Sequence, residues 1–195
     1  ITIIDGDTVH PSNRNRQLPA LKSTEGKAKT EVMASRLLDI NPALQLTVIQ
    51  EYIRDERTLE ILKQGYDYVL DAIDTLSPKV YLLYSCVQLR LPVVSSMGAG
   101  GKFDPGLVTV ADIDDSYNCK LAYYMRKRLH KLGVRNGIKV VFSPEVVDRS
   151  AIILQEGESN KKSNVGTISY MPAVFGCFMA SVVIRDLVSA HPQGV

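Results

Sequence analysis

The chain is poor in the residues that build disulfide-stapled or zinc-built domains. Its three cysteines, Cys86, Cys119 and Cys177, are scattered over 195 residues, odd in number and without a CxxC pair. That argues against a disulfide framework and against zinc, and points to a reducing, cytoplasmic setting. The three histidines, His10, His130 and His191, show no metal-ligand spacing and are expected at the surface. There is no large surplus of charge: the net value is +2, so any attraction to nucleic acid must come from a local basic surface. There is no GxxxxGK[ST], which excludes a P-loop. No basic start followed by an apolar run precedes the first acidic residues, so no secretory leader is expected. The chain opens without Met and inside a strand pattern, and is therefore expected to be N-terminally truncated. Nor is there a clean apolar run of membrane length. The most apolar stretch, Tyr170 to Val188, is interrupted by Pro172, Arg185 and Asp186 and is expected to be a buried helix rather than a membrane insertion.

What is present is an ordinary globular composition, 45% hydrophobic and 23% charged, in a chain long enough for one domain with a sizeable core. Apolar, β-branched runs alternate with helical patterns. Strands are expected over Ile1 to Asp5 (buried), around Leu46 to Ile49, over Tyr68 to Ala72, in "PVVSSM", in "LVTVADI" and over Ile138 to Ser143. Helices are expected from an N-cap at Thr24 through Ile40, over Thr58 to Gln64, from Pro78 to about Leu89, over Ser116 to Leu132, and in the late apolar stretch. The segment 156–164 is polar and aperiodic and is expected to be a flexible loop. Strands alternating with helices predict an α/β fold with a mainly parallel sheet.

In such sheets ligands bind beyond the carboxyl ends of the strands. Three of those ends are polar: Asp5-Gly6-Asp7, Asp71-Ala72-Ile73-Asp74, and Ser95 to Gly101. Asp5 closes the first strand, where dinucleotide-type folds use an acid to accept hydrogen bonds from ribose hydroxyls. Asn13, Asn15 and Arg16 follow, and guanidinium forks and amides match phosphate oxygens. Lys29 lies four residues before Met33 and eight before Leu37, at the top of an apolar helical stripe. A snorkelling lysine is the bland reading of Lys29; a cation aimed at the ligand edge is the sharper one. Asp74 falls just past a strand, where a carboxylate can hold Mg²⁺ against phosphates, while Asp71 is expected to cap or brace the loop. Together these residues outline a nucleoside triphosphate site.

The order and spacing of "DGD", "SNRNRQ", "GKAK" and "DAID" resemble the signature of the ubiquitin-activating-enzyme-like superfamily, the ThiF/MoeB/HesA adenylating enzymes. The resemblance covers nearly the whole chain. It is strongest to the branch of tRNA threonylcarbamoyladenosine dehydratases, through "GKAKTEVMASRLLDINP", "YDYVLDAIDTLSPK", "GAGGKFDP" and "VVFSPE". It implies a Rossmann-like, doubly wound α/β fold with helices on both faces of the sheet, whose first glycine-loop βα unit would lie upstream of Ile1. It implies that Asp5 and Asp7 belong to the ribose end, that Asn13, Arg16 and Lys29 hold the triphosphate, and that Asp74 carries Mg²⁺. The implied chemistry is ATP-dependent activation of a threonyl carboxylate on tRNA beside the anticodon, followed by ring closure with loss of water. Implied partners are tRNA, a second copy of the chain, and a sulfur-transfer or cysteine desulfurase protein.

Other features keep two readings. Cys119 precedes a helix as a thioester nucleophile would, yet its acidic neighbours Asp112, Asp114 and Asp115 favour a structural thiol; Cys86 and Cys177 are expected to pack. On the helix containing "MRKRLHK", with Leu121, Met125, Leu129 and Leu132 inward, the residues Lys120, Arg126, Lys127, Arg128 and Lys131 form either a tRNA-phosphate face or an ordinary solvated face. Gly98, Gly100 and Gly101 are a candidate activated-substrate pocket or alkali-metal-ion site, or simply a tight turn. Three competing functions remain: adenylation of a sulfur-carrier protein's C-terminal glycine, a nicotinamide-dependent oxidoreductase, and a non-catalytic dimerisation module.

Overall fold

The computed structural model describes residues 1–147, 152–154 and 163–190. They fall into two compact units, Ile1–Arg57 and Thr58–Val195. In chain order the elements are β1 (Thr2–Ile4), α1 (Lys29–Ile40), β2 (Thr47–Ile49), α2 (Asp55–Leu62), β3 (Val69–Asp71), α3 (Leu76–Gln88), β4 (Val93–Ser96), β5 (Thr109–Asp112), α4 (Lys120–Lys131), β6 (Lys139–Phe142), β7 (Ile152–Leu154), β8 (Ser163–Val165) and α5 (Met171–Ala190).

In the first unit β1 and β2 pair in parallel, Ile3 opposite Val48, so their carboxyl ends share one edge. β1 is half-buried, not fully buried as its apolar run predicts. Between β1 and α1 the chain makes short turns and a β-like clasp: Val9 N–H donates to Lys27 O at 2.8 Å, and Gly26 N–H to Val9 O at 2.9 Å. This clasp explains why α1 starts at Lys29 and not after Thr24. Gly26 sits at φ +80, outside helical geometry, and the Thr24 hydroxyl donates to Pro19 O within its own turn. Asn41 closes the helix as expected, its N–H donating to Leu37 O at 2.9 Å.

In the second unit the sheet order is β3-β4-β6-β5, with the first three strands parallel and β5 antiparallel at the edge. Alternation along β4 separates the two faces. Val94 joins Val141 and Val108 against Met171, Phe175, Met179 and Val182 of α5. Ser95 and its neighbours on the opposite face lie under α3, which packs beside α4. Burying one such α5 side chain contributes about 1.5–3 kcal/mol. α5 is long and apolar enough to cross a membrane by length and composition alone, but it buries a single stripe on the sheet. Its opposite side is open, and Cys177, expected to pack, is exposed there.

Two further differences have local causes. α4 begins at Lys120, four residues after the expected start, because Asn118 adopts φ +51 and the Ser116 hydroxyl donates to Ile113 O at 2.6 Å. β7 and β8 form an antiparallel pair that the sequence pattern does not announce. Of the loop expected over 156–164, residues 156–162 lie outside the described residues, and Ser163 and Asn164 belong to β8.

Candidate functional site

The parallel pairing of β1 with β2 brings Asp5, just past β1, and Tyr52, just past β2, to the same edge. Asp5 Oδ1 accepts the Asp7 N–H at 2.8 Å, closing the strand end on itself. Lys29 arrives at that edge because its N–H donates to Asp7 O at 3.0 Å, and its ammonium then meets Asp7 Oδ2 at 2.7 Å and Asp5 Oδ2 at 3.9 Å. Lys29, Met33 and Leu37 form the expected half-buried stripe. Lys29 is mostly covered, whereas both carboxylates are over two-fifths exposed, so the ion pairs contribute about 0–1 kcal/mol.

Tyr52 was not singled out from the sequence. Its hydroxyl donates to Asp7 Oδ1, and its ring lies on Gly6 so closely that a Cβ there would fall 2.6 Å from Tyr52 Cδ2 and 2.8 Å from its backbone nitrogen. Burial raises the Asp7 pKa, but the hydrogen bonds from Lys29 and Tyr52 and the Lys29 charge outweigh it and hold the carboxyl below its ordinary value. The Asp7 bond, in turn, raises the Tyr52 phenol. The signal available in the sequence was an aromatic three residues past a strand whose neighbour ends in Asp-Gly-Asp.

Asn13 and Arg16 sit on the turns that follow. Asn13 is buried, its Oδ1 accepting the His10 N–H at 3.1 Å, and its carbonyl accepts the N–H groups of Arg16 and Gln17. The Arg16 guanidinium donates to Ser12 O at 2.8 Å and Asn15 Oδ1 at 2.9 Å, contacts confined to its own turn.

In the second unit Asp71 braces the loop, as expected. It is fully buried at the end of β3, with Oδ1 accepting the Ile73 N–H at 3.0 Å and Oδ2 the Ser95 hydroxyl at 2.6 Å. The buried Lys79 ammonium lies 2.7 Å from the same Oδ2, off the hydrogen-bonding directions, so charge holds the pair. Burial, then the Asp71 charge, pushes the Cys86 thiol up to about 12, which leaves it inert. Asp74 is exposed in the loop, its Oδ1 accepting the Thr75 hydroxyl at 3.3 Å. Among the described residues no group of three or more His, Cys, Asp or Glu is placed to hold a metal. One exposed carboxylate completed by phosphate oxygens and water nevertheless suits Mg²⁺, which is rarely caged by protein alone.

The glycine turn after β4 has a packing explanation. A Cβ on Gly101, at φ +68, would lie 2.5 Å from Val147 Cγ1, and one on Gly100 would lie 3.1 Å from Val165 Cβ; Gly98 is under no such constraint. The next residue, Lys102, was also overlooked. It is 2% exposed, and its ammonium donates to the carbonyls of Asn118 (3.2 Å) and Glu145. Burial lowers its pKa, while Cys119 and Glu145 pull the other way. The Glu145 carboxylate gathers the N–H groups of Phe103 (2.8 Å) and Asp104 (3.0 Å), fastening this loop to the end of β6.

On α4 the expected basic face divides. Lys120, Lys127, Arg128 and Lys131 are exposed, with Arg128 donating to Ser77 Oγ at 2.8 Å. Arg126 instead turns inward and donates to Ser116 O at 2.6 Å and Ile113 O at 3.3 Å. Leu132, expected inward, lies past the helix end and is 47% exposed. Cys119 is buried at the helix cap, as a structural thiol should be, and His130 pairs with Asp114 at 3.1 Å.

Each unit by itself carries an acidic strand end, the first with a lysine at the head of the helix that follows, which is the pattern expected of an adenylating α/β enzyme. The chain matches the ThiF family over residues 1–194 and belongs to it. It is 34% identical over 194 residues to the tRNA threonylcarbamoyladenosine dehydratase of Bacillus subtilis (strain 168), covering 96% of this chain and 76% of that protein. It is 33% identical to the Escherichia coli (strain K12) protein of the same name, covering 100% and 79%. The crystal structure of the E. coli tRNA N6-threonylcarbamoyladenosine dehydratase, TcdA, in complex with ATP superposes with a TM-score of 0.87 at 32% identity, covering 99% of this chain and 77% of that one. The Rossmann-like fold follows from that match.

Proposed function

We propose that the protein uses ATP to cyclise threonylcarbamoyladenosine in tRNA with loss of water. The observation that carries the reading is the meeting of Asp5, Asp7 and Lys29 at one strand edge, in a chain matched along its whole length by dehydratases of that name. In this reading Asp5 accepts a ribose hydroxyl of ATP. Lys29, now neutralised by Asp7, exchanges that carboxylate for a phosphate oxygen, a swap made cheap by the weak, half-exposed pair. Arg16 and Asn13 donate to the remaining phosphate oxygens. Asp74 would hold Mg²⁺, which supplies charge neutralisation on the departing pyrophosphate.

A threonyl carboxylate oxygen attacks the α-phosphorus, the bond to the pyrophosphate oxygen breaks, and an acyl adenylate results. The neighbouring urea nitrogen or oxygen then attacks the acyl carbon. AMP leaves with the former carboxylate oxygen, and a proton is lost, so the elements of water leave the substrate. The protein's contribution is to hold the carboxylate in line with the phosphorus and to stabilise charge on the leaving group. The exposed Lys120, Lys127, Arg128 and Lys131 are the proposed tRNA-phosphate contacts. Because Gly100 and Gly101 are required by packing, no step is assigned to an alkali-metal ion. The reading includes a homodimer, a cytoplasmic location and a sulfur-transfer or cysteine desulfurase partner as expectations of the family resemblance.

The test is pyrophosphate release from labelled ATP by the full-length protein. Release that requires tRNA bearing threonylcarbamoyladenosine supports the reading; release that requires instead a protein with a di-glycine tail moves the assignment to sulfur-carrier adenylation.

A further inference from the structure

We infer that Asp71, Lys79 and Ser95 form a positioning device that aims the Asp74 carboxylate, an inference that rests on the reading of Asp74 as the Mg²⁺ ligand. Three elements converge on one buried carboxylate: Asp71 ends β3, Ser95 is its register partner on β4, and Lys79 lies in the first turn of α3. Asp71 holds the Ile73 N–H at 3.0 Å through one oxygen, and through the other it meets the Ser95 hydroxyl at 2.6 Å and the Lys79 ammonium at 2.7 Å. The segment between β3 and α3, Ala72 to Thr75, is thereby pinned at both ends, and Asp74 is carried in it.

A buried ion pair is a poor device for stability, because desolvation offsets the attraction and an apolar pair of similar volume is often as stable or more so. Its contribution here is direction. Removing one partner strands a buried charge, so single variants at Asp71 or Lys79 report unfolding as much as positioning. Replacing both together removes the two buried charges and the orientation, and it also leaves the Ser95 hydroxyl and the Ile73 N–H without their acceptor. Groups that orient a metal ligand typically change metal affinity or activity by about 10–100-fold when lost.

The experiment compares wild type, Asp71→Leu/Lys79→Met, Asp74→Asn and the triple variant in the full-length protein. Melting temperature is measured first, then ATP binding by calorimetry across a Mg²⁺ titration, then kcat and KM for ATP. The double variant should stay folded, with a melting temperature lowered because Ser95 loses its acceptor, and should bind ATP as wild type does without metal. Its Mg²⁺ enhancement of ATP binding should fall about 10-fold or more, with kcat falling further than KM rises. The triple variant should be no worse than Asp74→Asn, since both changes act through one carboxylate. A folded double variant with a wild-type Mg²⁺ response overturns the inference while leaving the function standing. An Asp74→Asn protein with an unaltered Mg²⁺ response refutes the metal-ligand reading itself, and the inference with it. If the double variant does not fold, Asp71→Asn/Lys79→Met decides: it keeps an acceptor for the Ser95 hydroxyl but removes the charges that tie α3 to the strand end, and a wild-type Mg²⁺ response there also overturns the device.

Discussion

Replacing Gly6 by alanine tests whether the Asp-Gly-Asp strand end is built to its function. The added Cβ would meet Tyr52 Cδ2 at 2.6 Å, Cγ at 2.7 Å and the Tyr52 nitrogen at 2.8 Å. The ring is 64% exposed and can swing away, but the nitrogen belongs to the backbone and cannot. Some of the overlap must therefore be absorbed by residues 5–7 themselves. Overpacking of this kind costs about 1–3 kcal/mol, which for a chain of this length lowers Tm by about 2–12 °C. The displacement also moves Asp5 and breaks the Tyr52 bond to Asp7. Losing the proposed Asp5 bond to a ribose hydroxyl costs about 1.5–3 kcal/mol, or roughly 10–100-fold in the Kd for ATP. Adding Tyr52→Ala removes the two ring contacts and leaves the backbone one, so stability should recover in part while ATP binding stays weak. Differential scanning fluorimetry and calorimetry read the two effects separately. An alanine variant that binds ATP within about twofold of wild type would refute the assignment of this strand end to the nucleotide.

Two further outcomes follow from the geometry. Arg126→Ala should destabilise the protein by about 1–3 kcal/mol, because the carbonyl of buried Ser116 loses the guanidinium that donates to it, while Ile113 O keeps the Ser116 hydroxyl. Lys127→Glu/Lys131→Glu should leave the melting temperature unchanged and weaken tRNA binding with a shallower salt dependence; equal salt slopes would remove α4 from the tRNA surface. For pH, the Asp7 carboxyl is held low in the fold, so its contribution is present above the ordinary aspartate pKa and is lost as pH falls through the lower folded value. Tyr52→Phe should therefore raise the Asp7 midpoint in a carboxyl-carbon NMR titration, and an unmoved midpoint would mean the hydroxyl does not hold it.

Much of the architecture was legible because period-2 and period-3.6 patterns survive in short segments. The boundaries that moved share one cause. At Gly26 and at Asn118 the backbone takes positive φ, and the hydroxyls of Thr24 and Ser116 serve their own turns, so each helix starts four residues late. The strand-end acids and Lys29 were readable because each lies at the end of an element whose period is clear. The same stripe reasoning would have found Lys79, four residues before Leu83 and seven before Cys86 on the buried side of α3. Lys102 carries no such signal: it sits in an irregular turn, and only the fold reveals that two carbonyls cap its ammonium. Arg126 and Lys127 are chemically alike as letters, and a rotation of one residue about α4 sends the first inward and the second to solvent. Cys177 was misplaced because a helix apolar all round reads as buried all round, while α5 spends only one stripe on the sheet.

The most direct measurement is mass spectrometry of nucleosides from tRNA carrying threonylcarbamoyladenosine, after incubation with the full-length protein. The account predicts that the modified adenosine loses one water only when ATP is present, and that Lys29→Ala abolishes the loss. ATP consumed with the nucleoside unchanged, or water lost without ATP, would contradict it.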